Sequence, residues 1–176
     1  MKFEPGDVVF IMHNDNTLSK IIAKFMKSKW SHSAVVIGHL NGEPVLCETS
    51  DLQTGFNMLD RYIVGPECDV RVYRRKLSKV QKLKVFENAK KQNGIPYGWF
   101  QLLSFAIRRI ILNTFGKRIN NFIRQGQVCC ATVGYCLQGL GGFELSKLDP
   151  ESYDTQELED MMEKNGFKIV FEKFTK

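Results

Sequence analysis

The chain has 176 residues, 43% of them hydrophobic and 25% charged, enough for one compact domain with a packed core. That balance excludes a disordered, collagen-like or mucin-like polypeptide. The net charge of +6 draws anions to the surface, whether nucleic acid, anionic lipid or cell-wall polymer, and does not choose among them.

At the start, Glu4 and the Pro5-Gly6 turn fall where a secretory signal needs an unbroken apolar run, so no export peptide is expected. Asp7 to Met12 reads as a short buried strand. A helix follows, because Leu18, Ile21, Ile22, Phe25 and Met26 recur at helical spacing opposite Lys20, Lys24 and Lys27, with Asn16 or Thr17 as cap. Ser33 to Leu40 and Pro44 to Thr49 are β-rich runs joined by Asn41-Gly42, a strong signal for a tight hairpin.

Asp69 to Arg74 alternates as a third strand, and Lys79 to Gln92 reads as an amphipathic helix stopped at Asn93-Gly94. Trp99 to about Ile123 mixes apolar residues with Arg108, Arg109, Lys117, Arg118 and Arg124, and predicts helix broken near Gly116. Its apolar stretch is interrupted by Gln101 and Arg108-Arg109 and is too short to span a bilayer, which needs roughly 20 residues. Without signal or transmembrane segment, the expected location is cytoplasmic. Val128 to Leu140 predicts a further helix, Asp154 and Glu157 a capping box for a helix to Lys164, and Phe167 to Phe171 a last strand. The whole reads as a single domain, residues 1–176, of the α+β class, with an antiparallel sheet packed against helices.

Cys47, Cys68, Cys129, Cys130 and Cys136 form an odd set with no C-x2-C pair, which points to reduced thiols. No metal site is expected, since structural zinc uses paired ligands and the adjacent Cys129 and Cys130 do not readily face one ion. No cofactor is expected either.

Cys129 stands at a predicted helix N-terminus, where unpaired N–H groups and the helix dipole favour a thiolate. A thiol nucleophile also needs an imidazole to handle its proton and a polar group to orient that imidazole. His32 and Glu48, on the two strands of the hairpin, are suitably placed. Pairing around Asn41-Gly42 sets His32 opposite a residue near position 51, with Glu48 about one step away; a bulge or a longer loop could align the two, so the hairpin permits the contact without requiring it. Each residue singly also has an ordinary reading, as a structural histidine, a buried thiol or a strand-end acid.

Five segments together resemble the permuted papain-like enzymes of the NlpC superfamily, the YiiX/YebB-like group. They are Pro5-Gly6-Asp7-Val8-Val9-Phe10, Ser31-His32-Ser33-Ala34-Val35-Val36-Ile37-Gly38, Cys47-Glu48, Gly94-Ile95-Pro96-Tyr97 and Val128-Cys129-Cys130-Ala131-Thr132-Val133. Their order carries the likeness: the histidine strand comes first and the cysteine helix late, as in the related lecithin:retinol acyltransferases. The resemblance implies a circularly permuted papain-like fold. It also implies a cysteine-dependent amidase, peptidase or acyl-ester hydrolase or transferase, with Cys129 as nucleophile, His32 as base and Glu48 orienting it. Where the family commonly has Cys-Ser this chain has Cys129-Cys130, and where it has an acid after the Pro-Tyr turn this chain has Gly98. Either thiol can therefore be the nucleophile. Cys129 is favoured because Val133, Cys136, Leu137 and Leu140 follow it on the face turned to the sheet.

The expected partner is a peptide or acyl-containing substrate. The segment 99–124 has a second reading as a lid or interfacial helix meeting an acyl chain, an anionic lipid or a membrane surface, because it alternates apolar and basic residues. A non-catalytic lipid- or anion-binding module using that segment is thus the competing function, and specific nucleic-acid binding is not expected.

Overall fold

In the computed structural model, which describes residues 2–50, 52–65, 67–117 and 126–175, the chain alternates strands and helices. It runs through β1 (Val8–His13), α1 (Thr17–Met26), β2 (His32–Leu40), β3 (Glu43–Thr49), β4 (Thr54–Met58), α2 (Asp60–Ile63) and β5 (Cys68–Arg74). Then come α3 (Lys79–Gln92), α4 (Trp99–Phe115), α5 (Cys129–Leu137), two short 3-10 turns, α6 (Thr155–Lys164) and β6 (Lys168–Lys173). The strands form one antiparallel sheet in the order β4-β3-β2-β1-β5-β6, so the fold is α+β as expected.

Local chemistry accounts for most boundaries. The Asn16 side chain accepts from Ser19 N–H and starts α1. Asp154 and Glu157 close the reciprocal capping box of α6. Asn41 and Gly42 both take positive φ, 51° and 88°, the backbone a two-residue hairpin turn demands. The helix after Trp99 ends at Phe115 with Gly116 left-handed at φ 64°, and its expected continuation through Arg118, Phe122 and Arg124 lies outside the described residues.

Three elements differ from expectation. β4 and α2 carry no pattern of their own: β4 holds Gly55 and Asn57, and becomes a strand by pairing Glu48 with Gly55 and Leu46 with Asn57. α5 stops at Leu137, three residues before the expected Leu140, because Gly139 turns left-handed and gives its N–H to Ser146 O at 2.8 Å.

The sheet buries both faces. Val8, Phe10, Val35 and Cys47 pack with α5 and α3, while Val9, Ile11, Ala34 and Leu46 pack with Leu59 and Tyr62 around α2. α5 is buried all round, which places its N-terminus inside the molecule rather than on its surface. It passes the 3-10 turns at Gly134, where an added Cβ would meet the Tyr153 hydroxyl and lie 2.8 Å from Pro150 Cβ. Gly134→Ala is therefore expected to destabilise the protein by about 1–3 kcal/mol, read as a lowered Tm.

The basic edge expected on the 99–124 segment is not available to an anion at Arg108 and Arg109. Arg108 is 2% exposed and donates to Ser152 O at 2.6 Å and to Glu157, while Arg109 bonds Asp154 at 2.9 Å. The carboxylates that cap α6 have already claimed both guanidinium groups. Apart from Thr114, what the described residues of α4 leave exposed is apolar: Trp99, Phe100, Leu103, Ile110 and Phe115. Arg108→Ala is expected to cost about 3–5 kcal/mol of stability by stranding buried charge, whereas an anion-binding surface arginine would leave Tm unchanged. Among the described residues no helix is long and apolar enough to cross a membrane.

Candidate active site

β1 and β2 pair Ile11 with His32, which sets the histidine at the end of the sheet beneath the start of α5. On β3 the register holds from Val35↔Cys47 and shifts between Val36 and Gly38. That irregularity is the bulge the hairpin needed. It brings Glu48 into the row of Ala34, a diagonal neighbour of His32 on the same face.

The result is a direct contact: His32 Nε2 lies 2.7 Å from Glu48 Oε2. A carboxylate only accepts, so Nε2 carries the proton and Nδ1 is left for the thiol. Glu48 has no solvent exposure and accepts further bonds from Asn57 Nδ2 at 2.7 Å and from the Tyr62 hydroxyl at 2.8 Å. Burial alone would raise its pKa, but the His32 bond and charge, with those from Tyr62 and Asn57, hold it below the usual value. Asn57 and Tyr62 were not legible in the sequence, since both lie in the segment without periodicity.

Cys129 begins α5 and is 8% exposed. The first bond at that helix start runs from Thr132 N–H to Val128 O at 3.0 Å, so the earlier N–H groups have no helical acceptor. The neighbouring Cys130 thiol contributes most to holding the Cys129 pKa well below the ordinary 9.0, against the cost of burial; the His32 bond and charge and the Ser33 N–H add to it. Cys130 is pushed well up and lies 3.3 Å from Tyr153 O, away from the histidine. Burial pulls the His32 pKa down, yet its bonds to Cys129 and Glu48 outweigh that and raise it to about 10. Both shifts run in the direction that favours a thiolate beside an imidazolium over two neutral groups.

The start of α5 is held in place by the Ile95-Pro96-Tyr97-Gly98 turn. Gln127 N–H donates to Pro96 O and Gly98 N–H to Gln127 O, both at 2.9 Å, while Tyr97 N–H reaches Leu52 O on the other side. Below, Thr54 bonds Thr49 at 2.7 Å and Gln127 at 3.0 Å, and Thr49 also bonds Thr132 of α5. Gly126, at φ 75°, leaves no room for a side chain: a Cβ would lie 2.8 Å from Pro96 O and Gly98 N. Gly126→Ala is expected to displace the helix start, lowering both Tm and thiol reactivity at Cys129.

His32 and Cys129 open into a cleft of about 230 Å³. His13, Arg61 and Tyr62 are among its lining residues, as are Leu18, Ile22 and Trp99. His13, not singled out in the sequence, sits with its Nδ1 3.3 Å from Cys68 Sγ and its ring against Tyr62. Burial lowers its pKa, with the nearby His32 charge adding, so it stands neutral in the cleft.

These features define a papain-like thiol arrangement in permuted order. The chain belongs to the permuted papain-like amidase enzymes of the YaeF/YiiX, C92 family, whose model matches residues 2–104. That span contains His32 and Glu48 and ends before Cys129. Among solved structures, the chain is similar to the metalloprotein YiiX from Escherichia coli O157:H7, with a TM-score of 0.58, 20% identity and 99% of each chain covered. No curated protein matches it. Among the described residues no group of three or more His, Cys, Asp and Glu side chains is placed to hold a metal ion.

Proposed function

We propose that the protein is a cysteine-dependent hydrolase that cleaves an amide through an acyl-enzyme on Cys129, with His32 as its proton carrier and Glu48 orienting the imidazole. The observation that carries this reading is the His32 ring bound by Glu48 at Nε2, beside Cys129 at the start of α5 in one cleft. Family membership supports an amidase-type enzyme at the coarse level. Peptides and acyl esters are the neighbouring substrate classes for the same chemistry.

The Cys129 thiolate attacks the carbonyl carbon, and the free N–H groups at the start of α5 receive the developing oxyanion. As the C–N bond breaks, His32 gives its proton to the departing amine, leaving a thioester and a neutral imidazole. His32 then takes a proton from water, whose hydroxide attacks the thioester. Collapse releases the acid and restores the thiolate and imidazolium.

The test is a burst experiment with an acyl p-nitrophenyl ester, followed by mass mapping of the quenched protein. The expected result is one acyl group per chain, on Cys129. Acylation at another residue, or no burst from folded protein, overturns the proposal.

A further inference from the structure

A second imidazole stands in the cleft, and the reaction proposed above leaves it unused. His13 ends β1, and because β1 pairs Ile11 with His32, His13 is the diagonal neighbour of His32 across the two strands. Ile11 and His13 fall on one face of the sheet, so the two imidazoles share that face with Tyr62, whose ring lies 5.5 Å from His13 and 6.4 Å from His32. Both histidines line the cleft into which Cys129 opens.

His13 is held in place by its neighbours. It pairs with Cys68 of β5, and the next residue, Asn14, gives its N–H to Glu67 O at 2.9 Å and its side-chain amide to Asp69 at 3.0 Å. The tautomer follows from the same contacts. Cys68 is 5% exposed, burial pushes its thiol pKa up, and its Sγ lies 3.3 Å from His13 Nδ1. Burial, and then the His32 charge, hold the His13 ring below 6.5 against the pull of Asp15 and Glu48. A neutral thiol therefore meets a neutral imidazole, and sulfur is the weaker acceptor of the two, so the S–H donates to Nδ1 and the ring proton sits on Nε2. With Nδ1 turned to the buried thiol, the nitrogen left for the cleft is Nε2, which has no hydrogen-bond partner among the described residues.

A ring in this state offers one N–H to an oxygen acceptor, and its occupied Nδ1 is not placed to take a proton. During acylation His32 gives its proton to the departing amine, so the leaving half begins at His32 and extends among that ring's neighbours. We infer that His13 is a specificity-determining residue: its Nε2–H donates to an oxygen of the leaving half, so that an amine carrying an acceptor close to its nitrogen is preferred over a hydrocarbon of the same shape. The inference rests on the function proposed above and adds the selection of the leaving group to it.

The test compares two amides with the same acyl half, N-butanoylglycinamide and N-isobutylbutanamide, in which methyl groups replace the carbonyl oxygen and nitrogen of the leaving half. The ratio of their kcat/KM values is measured for the wild-type protein, His13→Phe and His13→Gln. Phenylalanine keeps the ring and glutamine keeps the reach of histidine at a half-buried strand end, so the fold tolerates both. A ratio taken within one variant cancels any general loss of activity, and its change between variants cancels the intrinsic difference between the two amines. The ratio is expected to fall by about three- to tenfold in His13→Phe, which has no donor, and to be largely retained in His13→Gln, whose side-chain amide donates from a similar place.

An unchanged ratio in His13→Phe, whatever the absolute rates, makes His13 structural and overturns the inference. An equal loss in His13→Phe and His13→Gln overturns it too, because the donor is then not what the substrate reads. Acylation of Cys129 by p-nitrophenyl butanoate is followed in parallel. If the ester acylates Cys129 but the wild-type protein cleaves neither amide, the inference fails and the nucleophile stands. If the ester leaves Cys129 unmodified, both fail.

Discussion

Replacement of Cys129 by alanine is expected to lower kcat/KM by at least about 10³-fold and toward 10⁶-fold, the loss seen when the nucleophile of a catalytic unit is removed. The fold should survive. The substitution deletes one sulfur atom from a residue that is 8% exposed and lines the cleft, so the space it leaves adjoins an existing opening. Cys130→Ala provides the contrast. That thiol faces Tyr153 O and acts on the site by helping to hold the Cys129 pKa down. The variant should therefore stay active at pH 9 and lose rate at pH 6 to 7, where less of its Cys129 is ionised. Equal loss in both variants at all pH values would remove Cys129 from its assigned role.

The second large effect is expected at Glu48. Activity requires ionised Cys129 together with protonated His32, a state populated between the lowered thiol pKa and the imidazole pKa of about 10. The acidic limb of the rate profile thus lies below the ordinary thiol value of 9.0, and the basic limb lies near 10. Glu48→Gln removes the charge that favours the imidazolium, so the basic limb should move down in pH and the rate should fall by about 10²- to 10⁴-fold. Glu48→Ala goes further: it strands the His32, Asn57 and Tyr62 donors and should cost about 3–5 kcal/mol of stability. A basic limb unmoved in Glu48→Gln would show that Glu48 does not set the His32 proton affinity.

Elements with local signals were legible in the sequence. Asn41-Gly42 fixed the hairpin that carries His32 and Glu48, and the Asp154 and Glu157 capping box fixed the start of α6. The order of histidine strand, glutamate strand and cysteine helix pointed to the permuted papain-like family. What was not legible depends on contacts between distant segments. The register shift at Val36 and Gly38 that aligns Glu48 with His32 leaves no mark in composition, and β4 exists because β3 pairs with it. Arg108 reads as a surface charge until α6 brings Glu157 against it. Periodicity favoured Cys129 over Cys130 by a helix face, yet α5 is buried on every side; the two thiols differ in that one meets His32 and the other Tyr153.

The central claim is a thiolate at Cys129 sustained by His32, and limited alkylation tests it most directly. The folded protein is treated with substoichiometric iodoacetamide across pH 5 to 9, and the modified cysteine is mapped by mass spectrometry in the wild type and in His32→Ala. Selective labelling of Cys129 well below pH 8, lost when His32 is removed, is the predicted result. Equal labelling of all five cysteines, or a Cys129 that stays inert in the folded protein, would contradict it.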